Sequence, residues 1–148
     1  MLASSVKDRP MPLTPELLQA YRDAEYVVFA DRHIVLRVGE PSAELDALMR
    51  AEGASCAAFV TAANPRGEVR SDVENGVANA ALQNFVAAAG YPHCWGEGRD
   101  PRGRWAEPSF LVIGIFRHNA EALGSLFEQN AIVYCELGQP PELVVLDK

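Results

Sequence analysis

Two short, almost wholly apolar runs limit the choice of fold more than anything else in this chain. One is Ser55–Val60 (S-C-A-A-F-V) and the other is Phe110–Phe116 (F-L-V-I-G-I-F). A run of about 4–8 apolar residues bounded by turn residues reads as a strand buried on both faces. Neither approaches the ~20 residues a membrane-spanning helix needs. A sheet with two such strands must be covered above and below, so helices are expected on it. Both runs end in polar residues: Thr61-Ala62-Ala63-Asn64-Pro65 follows the first, and Trp105-Ala106-Glu107-Pro108-Ser109 precedes the second. Polar side chains at the ends of buried strands are what a pocket rim would contain.

The remaining elements follow from local signals. Thr14 is a helix N-cap with Pro15 at the first helical position and Glu16 behind it, and Leu17, Leu18 and Tyr21 form the inner face. Tyr26–Phe29 and His33–Val38 read as a hairpin around Asp31-Arg32. Ser42 opens a second helix, with Leu45, Leu48 and Met49 inward and Gly53 at its end. A third helix is expected from about Asn75 to Ala89, its period kept by Ala78, Leu82, Phe85, Val86 and Ala89. Tyr91–Glu97 and Trp105–Phe116 read as strands, with Pro108 pointing to an edge or a bulge. Asn119 is the expected cap of a fourth helix. Strands follow at Ala131–Tyr134 and Leu143–Leu146.

The order α-β-β-α-β-α-β-β-α-β-β suggests a single α+β domain over residues 13–148. It would be a sandwich of about four helices on a mostly antiparallel or mixed sheet. Residues 1–12 are expected to be a flexible tail.

Charge narrows the partners. With 13 basic and 20 acidic residues the chain carries a net charge of −7, which opposes binding to nucleic acid or to an anionic membrane. Three cysteines, Cys56, Cys94 and Cys135, without a C-x-x-C pair, suit reduced thiols in the cytoplasm. Residues 1–10 contain no apolar stretch of signal-peptide type.

Chemistry-bearing residues fall into one main group. Glu107 and Ser109 share a strand face, and Asn75 and Asn79 share a helix face. Thr61, Asn64, Gln129 and Asn130 end or precede buried strands. Burying several amides without a use is costly, so this set suggests a site for a polar ligand. Glu107 is its candidate general acid or base, with a pKa raised by burial. Arg66, Arg70, Arg99, Arg102 and Arg104 lie in the two adjoining loops. Among them Arg66 and Arg104 are candidates for holding an anionic group, although Glu68, Asp72, Glu97 and Asp100 stand beside them as ion-pair partners. His93-Cys94 with Cys56 or Cys135 lacks metal-ligand spacing, so no metal or cofactor is expected.

The blocks L-L-Q-A-Y-R-D-A-E-Y (17–26), F-V-T-A-A-N-P (59–65), G-R-W-A-E-P-S-F-L (103–111) and F-E-Q-N-A-I-V-Y (127–134), with Asn79 and Leu82, resemble a family of small bacterial proteins known only as domain-of-unknown-function family 3293. That family's first motif usually reads T-A-W-N-P and its second W-x-E-E-S-F; here Ala63 and Pro108 depart from them. The resemblance implies a bacterial single-domain protein in which Thr61, Asn64, Asn79, Glu107, Ser109, Gln129 and Asn130 act together. It implies no reaction, cofactor or partner. Two readings stay open. One is a site that binds or processes a small polar or anionic metabolite. The other is a non-enzymatic regulatory or interaction module whose polar motifs are structural, with homo-oligomers possible in either case.

Overall fold

The computed structural model describes residues 13–146; the expected flexible tail, residues 1–12, lies outside them. The described residues form helices α1 (Pro15–Asp23), α2 (Ala43–Ala51), α3 (Asp72–Ala88) and α4 (Arg117–Leu126), and strands β1 (Glu25–Phe29), β2 (His33–Leu36), β3 (Cys56–Val60), β4 (His93–Arg99), β5 (Ala106–Ile113), β6 (Ala131–Glu136) and β7 (Glu142–Val145). A 3-10 turn, Pro65–Gly67, precedes α3. The expected element order therefore holds from α1 to β7, and the domain is α+β.

The strands make one curled sheet in the order β2-β1-β4-β5-β3-β6-β7. Every neighbouring pair is antiparallel. The two apolar runs lie side by side in its middle as β3 and β5, with Val60 opposite Phe110 and Ala57 opposite Ile113. Their alternate residues supply two cores. Ala58, Val60, Phe110 and Val112 meet Leu82 and Val86 of α3 and Ala120 and Leu123 of α4. Ala57, Phe59, Leu111 and Ile113 face the other way and meet Leu45 and Met49 of α2. No helix among the described residues is long and apolar enough to cross a membrane.

Four local expectations are corrected. Helix α3 starts at Asp72, before Asn75, because Ser71 and Glu74 form a reciprocal capping box: each side chain accepts from the other residue's backbone N–H at 3.1 Å. Helix α4 is entered from Phe116 with no side-chain cap, so Asn119 lies within its first turn. Gly114, at φ +85°, ends β5 after Ile113 and turns the chain toward α4. Pro108 marks neither an edge nor a bulge: β5 is flanked by β4 and β3, and its register with β4 runs one-to-one through Glu97↔Pro108. Its carbonyl faces Thr61 and Asn79, and in extended backbone the nitrogen points the same way. The missing N–H therefore falls just past the end of β3, where no ladder bond is lost.

Phe85 and Ala89 differ from expectation as well. Phe85 is half exposed and Ala89 exposed, so the covered face of α3 is Asn79, Leu82 and Val86.

Candidate functional site

The alternation of β3 carries Phe59 and then Thr61 onto the α2 face of the sheet, beyond the reach of α2. Helix α1 covers this end instead. It does so loosely: Leu17, Ala20 and Tyr21 face the sheet, yet no residue of α1 is fully buried. Between α1 and the sheet is a cavity of about 290 Å³, at the lower end of the roughly 300–1,000 Å³ of small-ligand sites. Most of its wall is apolar, with Tyr21, Tyr26, Phe59 and Trp105 as aromatic members and Glu107 as the one charged side chain among the described residues.

Two glycines make room for it. A Cβ on Gly96 would meet the Val27 carbonyl oxygen at 2.5 Å and a Phe59 ring carbon at 2.9 Å. The Phe59 ring therefore lies against bare β4 backbone, and Tyr26 packs edge-on to it with centroids 5.3 Å apart. Gly98 stands between Tyr26 on β1 and Glu107 on β5 in the sheet register, so no side chain intervenes in that row.

Asn64 organises the polar wall. Its backbone is left-handed (φ 46°, ψ 60°), a conformation asparagine tolerates better than most residues. Its N–H donates to Asn75 Oδ1 at 2.8 Å. Its Oδ1 accepts from Arg70 N at 2.8 Å and Asn75 Nδ2 at 3.0 Å. Its Nδ2 donates to Glu107 Oε2 at 2.6 Å. Among the described residues Asn64 is the one hydrogen-bond donor to that carboxylate. Burial pushes the Glu107 carboxyl above the ordinary glutamate range, and the Asn64 amide opposes the shift only in part. Burial also raises the Tyr21 and Tyr26 hydroxyls, with the Glu107 charge adding to both. Tyr26 Oη donates to the Tyr21 carbonyl at 2.5 Å, and Asn130 Nδ2 donates to Tyr21 Oη at 3.4 Å, tying α1 to the sheet.

Backbone strain gathers here too. Asn64, Arg66 and Glu128 are the non-glycine residues with positive φ among those described. They meet where Arg66 N–H donates to the Glu128 carbonyl at 2.7 Å. Residues held in sparsely populated conformations cluster at ligand sites.

The candidate residues separate by position. Thr61, Asn64, Glu107, Ser109 and Gln129 line the cavity. Asn130 is behind it, where a Cβ on Gly67 would meet its Nδ2 at 3.2 Å. Several of these side chains are occupied by backbone. Asn79 accepts from Ala62 N at 2.9 Å and donates to the Pro108 carbonyl at 3.1 Å. Thr61 Oγ1 donates to that same carbonyl at 2.7 Å, so the pair splices the end of β3 to β5. Ser109 Oγ donates to the Glu107 carbonyl at 3.0 Å. Gln129 Nε2 donates to the carbonyls of Ala63 and Phe127, both at 3.1 Å.

The arginines lie outside the cavity wall. Arg104 forms a bidentate pair with Asp100 at 2.7 and 3.0 Å, holding that carboxyl down at about 2, and it lines a shallow groove beside Glu16 and Asp23. Arg66 is 3.8 Å from both Glu68 and Glu128. Arg70 is 3.4 Å from Glu68 and Arg99 is 3.1 Å from Glu25. Among the described residues no three His, Cys, Asp or Glu side chains gather to hold a metal ion.

The aromatic members of the site, and the glycines that seat them, escape a reading based on polar residues. The available signal was W-G-E-G-R (95–99), since glycine inside a strand marks a close approach of another group.

Residues 60–132 match the model of a family described as Protein of unknown function (DUF3293). This is the family the motifs resemble, and the matched span holds Thr61, Asn64, Asn79, Glu107, Ser109, Gln129 and Asn130, while α1 with Tyr21 lies outside it. No curated protein matches the chain, and no solved structure does.

Proposed function

We propose that the cavity under α1 binds a small organic molecule with a flat apolar body and one hydrogen-bond-donating head, such as an amine, an amide or a phenol. What carries this reading is Glu107: a desolvated carboxylate with a single amide donor, in a cavity walled by aromatic rings. A half-buried polar group of this kind favours a partner that completes its hydrogen bonds. Rings on the wall offer stacking or edge contacts to a flat body, and add cation–π attraction if the head is an ammonium. Among the described residues the lining has a carboxylate and no arginine, which favours a donor head over an anionic metabolite. If the bound molecule is turned over, Glu107 is the proton-transfer group, since among the described residues it is the carboxyl on the cavity wall and burial raises its pKa. We also propose a bacterial, cytoplasmic setting; the free thiols Cys56, Cys94 and Cys135 fit a reducing compartment.

The test is a ligand-observed NMR screen of single-ring amines, amides, phenols and carboxylates against the wild type, Glu107→Gln and Ala20→Leu. Donor-headed fragments should bind the wild type, weaken in Glu107→Gln and be excluded when a leucine fills the cavity from α1. Absence of any binder, or binders indifferent to Ala20→Leu, would refute the site.

A further inference from the structure

Helix α3 carries a second surface that the described residues leave uncovered, and it points away from the cavity. Val73, Val77, Ala81, Phe85 and Ala89 recur every four residues and form one ridge. Val73, Val77 and Phe85 are 77%, 68% and 50% exposed, and Ala81 and Ala89 are exposed with them. Ala80 and Ala88 flank the ridge, also exposed. No Asp, Glu, Lys or Arg occurs from Asn75 to Gly96. A surface helix normally turns charged side chains to water, and one that is apolar on both sides is characteristically covered on both.

We infer that the cover is a second copy of this chain, packing its own α3 antiparallel on this ridge across a two-fold axis at Ala81. The ridge is its own complement about that residue. With Ala81 on the axis, Val77 of one copy meets Phe85 of the other, twice, and Val73 meets Ala89. The smallest side chain stands where the helices come closest, and a larger one meets it on either side. A two-fold contact of this kind uses the same patch on both subunits.

Charge selects the same partner and the same direction. Two chains of net charge −7 can approach most easily through a face without charge. Asp72 and Glu74 lie in the first turn of α3. Antiparallel pairing puts the two acidic turns at opposite ends, roughly 24 Å apart at 1.5 Å per residue, beyond a Debye length of about 8 Å at physiological salt. Parallel pairing would set them side by side. One helix face is small beside the ~800 Å² per partner of a standard interface, so the dimer forms with rising concentration and dissociates on dilution.

Sedimentation velocity of the full chain from low micromolar to several hundred micromolar reads this directly. The wild type should rise from 16.1 kDa toward twice that mass. Val77→Glu, at an exposed position that leaves the circular dichroism spectrum unchanged, should stay at the monomer mass throughout. Ala81→Cys should cross-link to itself under mild oxidation faster than Ala87→Cys, which lies off the ridge. A wild type that stays monomeric across the range would overturn the inference and leave the ridge to a different partner. So would a Val77→Glu protein that associates like the wild type, or an Ala81→Cys protein that cross-links no faster than Ala87→Cys.

Discussion

Helices α1 and α3 both carry more apolar surface than the sheet covers, and the surplus points in opposite directions. The excess on α1 faces inward: Leu17, Ala20 and Tyr21 look across the cavity. On α3 the inner face is sealed by Leu82 and Val86, and the excess looks out to solvent. An apolar face turned inward over a space with one carboxylate suits a small molecule. A face turned outward along a charge-free ridge suits another protein surface. The two differ also in how they are held. Helix α3 is fastened by a capping box and by Asn75 and Asn79, which bond the Ala62–Asn64 segment. Helix α1 is fastened at Tyr21, by the hydroxyl of Tyr26 and the amide of Asn130. The cavity side is therefore the one free to adjust to an occupant.

The largest expected effect is at the joint between the two regions. Asn64→Ala removes the single donor to Glu107 and the partner of Asn75, and puts a Cβ residue with no polar group at φ +46°. Unmade hydrogen bonds and a left-handed alanine together cost about 3 kcal/mol. At roughly 2–4 °C per kcal/mol for a chain near this size, thermal unfolding should begin about 10 °C lower. Asn64→Gly, which suits the backbone, should recover part of the loss.

Next is the floor of the cavity. Gly96→Ala drives a methyl into the Val27 carbonyl and the Phe59 ring and should cost about 2 kcal/mol, measured by urea unfolding. Ala20→Leu should do the reverse. Filling apolar space beneath α1 is expected to stabilise by up to about 1 kcal/mol while excluding ligand. Marked destabilisation by this change would mean that α1 has no space beneath it.

The smallest effect depends on pH. The folded state holds the Glu107 proton to higher pH than the unfolded chain does. The stability contributed by this group is complete below the unfolded glutamate range and is lost as pH rises through the folded value. Glu107→Gln should match the wild type in acid and gain a few degrees in melting temperature toward neutral and alkaline pH. The gain should grow as pH rises from the unfolded value through the folded value and level off above it.

Locally encoded features were legible. Periodicity and caps place every helix and strand in order, because Thr14, Ser42 and the apolar runs act on their own neighbours. Strand order was not legible: β4 leaves β3 and β5 adjacent while pairing β1, a choice made by distant side chains. The S-D-V-E capping box (71–74) was readable but lost to the more conspicuous asparagine at 75. The polar residues at the ends of β3 and β5 do converge, since alternation fixes the faces of Thr61, Glu107 and Ser109. The roles of Asn79 and Thr61 as splices at the end of β3 depend on where β3 stops beside Pro108, which spacing does not reveal. The aromatic wall was hidden because an apolar side chain facing a cavity and one facing a core have the same pattern. The arginines misled because proximity in sequence to the polar segments also placed them near Asp100, Glu68 and Glu25.

The proposed anchor depends on Glu107 being a desolvated acid held by the Asn64 amide. The direct measurement is a carbon-13 NMR pH titration of its side-chain carboxyl, assigned through the Glu107→Gln spectrum. The account expects a midpoint clearly above the ~4.3 of an unperturbed glutamate. A midpoint at or below that value would mean a carboxylate that is solvated or paired with a cation, and would contradict the proposed anchor.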